Sequence, residues 1–166
     1  RNSIGYLKAS PDGQRLAIAH NQSGDEPGGT AFGTGMVELF DFNVTSGVVS
    51  NFVTVLPSVQ PYGLEFSTSS EKLYATYRVG TQPNLKLTQF DLLSDDITAS
   101  ATIIYDLSPL LYGIQLAPNN KIYCSTNTNV LGVINDPDAN GPLCNYVHQG
   151  QVLAPGTIAK QGLPPF

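Results

Sequence analysis

An all-β fold of repeated antiparallel sheets is predicted by three observations. A hairpin motif recurs three times, a second motif keeps the same spacing, and the composition is rich in turn formers. The hairpin is plainest in residues 112–126, where two short apolar runs, 114–116 and 122–124, are parted by Ala-Pro-Asn-Asn-Lys. Proline pre-sets a turn angle and asparagine tolerates left-handed backbone, so the segment folds back on itself. Residues 62–77 and 5–20 repeat the scheme of apolar run, small-residue turn, basic residue and second apolar run. Gly63 and Gly113 stand 50 residues apart, and Gly113 and Gly162 stand 49 apart. The second motif keeps this beat, since Phe40-Asp41 recurs 50 residues later as Phe90-Asp91, with a weaker echo in 131–135. A period of roughly 40–50 residues carrying four strand-like runs is the signature of a β-propeller blade.

The expected architecture is therefore a partial β-propeller of about three four-stranded antiparallel blades plus the first strand of another. The blades fall at approximately 4–56, 61–104 and 110–153, and a closing segment at 154–166. Propellers close with about 4–8 blades, so residues 1–166 are expected to be a single propeller region of a longer chain.

In the first blade, residues 4–10 are the innermost strand and Pro11-Asp12-Gly13 turns into 15–20. Residues 21–35 form a glycine-rich loop. A phosphate-cradling loop must leave a strand and open a helix, whereas here strand-like residues 36–42 follow, so an inter-strand loop is expected. Residues 48–56 are the outer strand. The second blade reads as four runs, 62–67, 72–77, 85–92 and 97–104, with both faces partly apolar because each blade packs between neighbours. Phe90 is expected to pack between blades, and Asp91 to bond to backbone in the following turn. The third blade begins near Leu110 and carries a long turn at 135–141. At the end, residues 162–166 align with an innermost strand and are expected to pair with strands supplied from elsewhere, because a lone inner strand leaves its backbone groups open.

Composition agrees with a sheet protein displayed outside the cell. The 166 residues include 16 Gly and 12 Pro, and only 13% are charged, against about 25% in an average domain. A net charge of −5 gives no electrostatic case for nucleic acid. No apolar run approaches the ~20 residues that a membrane helix needs.

Few residues suggest chemistry. Asp136, Asp138 and Asn140 alternate before Gly141 like the front half of a calcium loop, but Val147 stands where a bidentate Glu is required. A structural turn is the expected reading, with calcium the alternative and no other cofactor or metal. Cys124 and Cys144 are the only cysteines, and in an extracellular protein an even pair suggests a disulfide; two buried free thiols are the alternative. There is no Gly-x-Ser-x-Gly elbow. Neither His20 nor His148 lies beside a nucleophile or in a metal-ligand pattern. Glu38, Glu65, Asp91, Asp95 and Asp96 have the chemistry of acids and bases, yet nothing in the sequence brings two of them together.

Residues 62–67, 72–74, 87–92, 118–123, 133–146 and the terminal Gly-Leu-Pro-Pro-Phe of 162–166 resemble the blades of secreted Bacteroidota propeller proteins. In that family the propeller precedes immunoglobulin-like PKD repeats and a C-terminal sorting or gliding-motility-associated domain. The resemblance implies export by the type IX route and a place on the cell surface or in the medium, and it supplies no catalytic residues. The function expected from the sequence is a non-catalytic binding or scaffold module for adhesion. Its partners would be a protein or glycan at the cell surface, or other chains completing the propeller. Two alternatives stand beside it: a subunit of an extracellular assembly, and a fragment of a propeller hydrolase or lyase with its site on other blades.

Overall fold

A computed structural model of the chain describes residues 2–22, 35–80, 85–107 and 111–163. The glycine-rich stretch of 23–34 and residues 164–166 of the closing segment lie outside the described residues. Twelve strands and one four-residue 3-10 helix make up the regular structure among the described residues.

Eight strands form one antiparallel sheet: β1 (Asn2–Ile4), β2 (Leu7–Ala9), β3 (Arg15–Gln22), β4 (Gly35–Phe42), β5 (Val49–Phe66), β6 (Lys72–Arg78), β7 (Lys86–Asp91) and β8 (Thr102–Tyr105). Four more form a second: β9 (Ile114–Leu116), β10 (Ile122–Ser125), β11 (Val130–Ile134) and β12 (Tyr146–Val152). The 3-10 helix, Gly141–Cys144, sits between β11 and β12. The all-β expectation holds in this form.

The repeats are visible in atomic detail. Each hairpin is closed by one backbone bond: Ser10 N to Arg15 O, Ser67 N to Lys72 O and Ala117 N to Lys121 O, each 2.9 Å. The third turn is one residue shorter than the others. Inside each turn one residue is left-handed, namely Gly13, Ser70 and Asn120, at φ 71, 65 and 62°. The basic residue that opens the second strand has a repeated role as well. Lys72 Nζ donates to Asp91 Oδ1 at 2.9 Å, and Lys121 Nζ donates to Asn135 Oδ1 at 2.7 Å. Arg15 stands opposite Asp41 in the ladder. Asp91 also accepts from Leu93 N at 3.0 Å, the turn-capping role expected of it.

Three boundaries differ from the sequence reading. The innermost strand expected at 4–10 is broken at Gly5-Tyr6, so that Ile4 ends β1 and only Leu7–Ala9 forms β2. Residues 48–56 and 62–67 were expected as separate strands, but they are the two ends of the 18-residue β5. The first part of β5, up to Val59, pairs with β4, and the part from Gln60 onward pairs with β6. Pro57 falls outside the paired residues and Pro61 borders a register irregularity. Prolines at such a handover leave no gap in a regular ladder. The expected strand at 97–104 begins only at Thr102, because the preceding residues form a turn. There Asp96 Oδ1 accepts from Ala99 N, and Ser100 N bonds back to Asp96 O.

The core lies in two layers on either side of β6 and β7. Leu64, Phe66, Leu73, Ala75 and Phe90 pack against Ala17, Val37, Leu39 and Val55 on one side. Tyr74, Leu85 and Leu87 pack against Ile114, Ile122, Cys124 and Cys144 on the other. Successive strand residues point to opposite faces, so a doubly covered sheet needs apolar residues at both parities. That is why the alternation in 72–77 is imperfect. Burying a side chain such as Phe66 or Leu73 stabilises by about 1.5–3 kcal/mol.

Candidate functional site

Each hairpin contributes one strand that pairs on one side only. These are β2, the last residues of β5, and β9, and they face one another. The ladders align Ala9 with Leu16, Phe66 with Leu73 and Leu116 with Ile122. Lys8, Glu65 and Gln115 therefore occupy one equivalent position, each preceding that aligned residue. The fold brings all three side chains together. Lys8 Nζ donates to Glu65 Oε2 and to Gln115 Oε1, both at 2.8 Å. Glu65 Oε2 also accepts from Leu116 N at 2.9 Å, and Oε1 accepts from Phe66 N at 3.1 Å. The Glu65 side chain is 6% exposed and that of Lys8 18%, so the ion pair is shielded rather than a surface contact.

A row of tyrosines flanks this cluster. The Tyr6 and Tyr62 ring centroids are 5.9 Å apart, those of Tyr62 and Tyr112 are 5.8 Å apart, and Lys8 Nζ lies 5.8 Å from the Tyr6 ring. Burial, with the Tyr62 hydroxyl and the Glu65 carboxylate nearby, pushes the Tyr6 phenol up. Burial and Tyr112 do the same to Tyr62. The strands approach this closely because two glycines leave room. A Cβ on Gly63 would lie 2.7 Å from Tyr112 O, and one on Gly113 would lie 2.6 Å from Tyr6 Oη. Thr76 bridges the same gap, accepting from Gly63 N at 2.8 Å and donating to Tyr112 O at 2.7 Å. Gly113 N in turn donates to Gln161 O at 2.8 Å, which ties the closing segment to this junction.

Of the carboxylates singled out from the sequence, Glu65 reaches the junction. Glu38 pairs instead with His20, at 2.6 Å from its Nε2. Asp91 holds Lys72, Asp96 caps its own turn, and Asp95 is exposed. His148 stacks on Tyr105 with centroids 4.6 Å apart, and its Nδ1 lies 2.9 Å from the Tyr146 hydroxyl. Lys8, Gln115 and the tyrosines were not singled out from the sequence. The available signal was the repeat itself: aligning the three left-handed turn residues places Lys8, Glu65 and Gln115 in one column.

The turn read as half of a calcium loop is occupied with another task. Asp138 Oδ1 accepts from Ser69 N at 2.9 Å and Ser69 Oγ at 2.7 Å, across to the second hairpin. Burial works against the charged carboxylate, but the bonds from Ser69 hold its carboxyl below the ordinary value. Asp136 accepts from Asn145 Nδ2 at 3.3 Å, and the Asn140 side chain makes no capping bond to the 3-10 helix. Around them, Tyr74 Oη donates to Pro137 O at 2.8 Å, and Gln89 grips the turn at Ala139 O and Gly141 N. Among the described residues no group of three or more His, Cys, Asp or Glu side chains is placed to hold a metal. The turn is a latch between the two sheets.

The disulfide expected between Cys124 and Cys144 is not formed. Both are buried free thiols in the apolar layer shared with Tyr74 and Ile134. Burial pushes both thiols up, which keeps them protonated and inert.

No protein-family model and no curated protein matches the chain. Solved structures do. One, from Bacteroides uniformis and provisionally assigned as a 6-phosphogluconolactonase, superposes with a TM-score of 0.60 at 17% identity, over 92% of this chain and 41% of its own. A gluconolactonase from Xanthomonas campestris superposes with a TM-score of 0.58 at 16% identity, over 91% of this chain and 47% of its own. The chain thus spans less than half the length of either. At such identity the likeness shows the fold, which is propeller-like. The non-catalytic scaffold expected from the sequence conflicts with these lactonase neighbours and is set aside. Among the described residues no helix is long and apolar enough to cross a membrane.

Proposed function

We propose that the chain is part of a propeller hydrolase acting on a sugar lactone, with Lys8, Glu65 and Gln115 in its site. One observation carries this reading: a polar side chain from the same position of each repeat converges on a shielded ion pair. Structural repeats here place a cation and a carboxylate together, between edge strands and beside aromatic rings, which are the group types that bind and hydrolyse small molecules. The lactonase names of the two neighbours agree with this class of substrate.

In this reading the strands group into three blades. The first is β2, β3, β4 and the start of β5, and the second is the end of β5 with β6, β7 and β8. The third is β9 to β12. The edge strands at the junction are then the innermost strands, where the mouths of such folds receive ligands.

Lactone hydrolysis adds water to the carbonyl and breaks the ring C–O bond. The ring oxygen takes a proton, and a hydroxy acid leaves. Lys8 is the group suited to the carbonyl oxygen, whose negative charge grows as water adds. Glu65 is suited to orient that water and accept its proton, and Gln115 holds Lys8 in place.

The test follows acid release from glucono-δ-lactone and its 6-phosphate at constant pH, with the full-length protein. Release should exceed the spontaneous rate, and Glu65→Gln and Lys8→Met should each slow it by about a hundredfold. Glu38→Gln should leave it unchanged. Rates equal to the spontaneous ones with both lactones would refute the reading.

A further inference from the structure

The described basic side chains sort by what they hold. Lys8, Lys72 and Lys86 each hold a carboxylate. Lys121 holds the Asn135 amide oxygen, and Arg15 reaches the Leu92 carbonyl. Arg78, the last residue of β6, differs from these. Its Nε is buried and has no hydrogen-bond partner among the described residues. A buried guanidinium donor left unpaired is unfavourable and marks a place where an acceptor belongs.

Arg78 lines a cleft of about 190 Å³ together with Asn21, Gln60, Tyr62, Tyr112 and Gln161. Among the described residues the lining offers guanidinium, amide and phenol groups beside the apolar Pro61 and Leu85, and no carboxylate. In a chain of net charge −5 the one charged residue among the described lining of this hollow is a cation. Tyr62 and Tyr112 also belong to the row that flanks Lys8 and Glu65, so the hollow adjoins the junction. Tyr62 stands three residues before Glu65 in β5.

We propose that this cleft is an oxyanion subsite in which Arg78 receives a carboxylate or phosphate group of a small ligand. Its planar fork donates Nε–H and one Nη–H in parallel to two oxygens, the geometry that distinguishes arginine from lysine. Gln60 and the tyrosine hydroxyls supply further donors at the rim. Arg78 and its cleft carry this site whether or not the junction hydrolyses a lactone. Where it does, the subsite selects lactones with an anionic group or retains the acid product.

Titrating the 15N-labelled protein with inorganic phosphate, and separately with sodium gluconate, tests this at constant ionic strength with sodium chloride as control. The Arg78 Nε–H resonance should shift saturably with one or both. A response to phosphate alone assigns the subsite to a phosphate group, and a response to gluconate alone to a carboxylate. Arg78→Lys, which keeps the charge and loses the fork, should weaken binding at least fivefold, and Arg78→Gln at least tenfold. Lys160→Gln should not weaken it. The proposal is overturned by an Arg78 resonance that neither anion moves up to about 50 mM. An equal shift with chloride, or undiminished affinity in Arg78→Lys, also overturns it. The wild-type resonance decides the matter even if a variant fails to fold. Binding without any lactone hydrolysis would uphold this site while refuting the hydrolase.

Discussion

Asn120, at φ 62°, does the work that Gly13 does in the first hairpin. A left-handed residue with a Cβ costs roughly 1–2 kcal/mol, and asparagine is among the few that offset it locally. Asn120→Ala should therefore lower stability by about 1 kcal/mol, and Asn120→Gly should restore or exceed the wild-type value. Chemical denaturation of the three proteins checks this, and equal midpoints for Ala and Gly would show that the backbone angle is not the cause. At this scale the sequence was informative wherever residue type and backbone geometry are linked. Pro11-Asp12-Gly13 and Pro118-Asn119-Asn120 announce their turns. Cys124 and Cys144 mislead, because an even number of cysteines does not report whether two thiols are joined. Lys8 and Gln115 stayed hidden for a related reason: an ion pair 57 residues apart in sequence is made by the fold, not by local pattern.

Among the elements, the turn at 136–141 shows how a motif can be read correctly as a turn and still conceal its job. Its acidic residues at alternate positions look like ligands in one dimension, while its partners, Ser69, Tyr74 and Gln89, lie on the other sheet. The latch should be sensitive to acid, and the sign follows from Asp138. Its folded carboxyl lies below the ordinary value of 3.8, so the unfolded chain takes up the proton first as pH falls. The stabilisation is complete above that ordinary value and is lost as pH drops through the lower folded one. Asp138→Asn should consequently melt below the wild type at pH 6, and the gap should narrow as the pH falls below 3.8. Thermal melts across that range are the measurement, and a gap that stays constant would mean the charge on Asp138 is not involved. The long β5 was the other element missed. Proline normally ends a strand in a sequence reading, and only the change of partner near Val59 and Gln60 explains its continuity.

For the whole molecule, the fold class was legible because a repeat announces itself several times. The junction was not, since a cluster assembled from one residue per repeat has no contiguous motif. The two sheets also differ in how they are joined. One backbone, β5, belongs to two ladders at once, whereas β9 to β12 meet the rest through side chains, the latch and the glycine-gated junction. Backbone continuity and side-chain contact impose different degrees of cooperativity. A strand common to two ladders forbids one from dissolving without the other, so 35–105 should open as one unit. The segment 111–152 has no such tether and should undergo subglobal opening first. Native-state hydrogen exchange at low denaturant should therefore find the amides of β10 and β11 converging on a smaller opening free energy than those of β4 and β6. A single isotherm shared by all four strands would count against this. If the order holds, the part of the chain carrying Gln115 breathes on its own, and access to the junction is gated by the exchange of one sheet rather than by a loop.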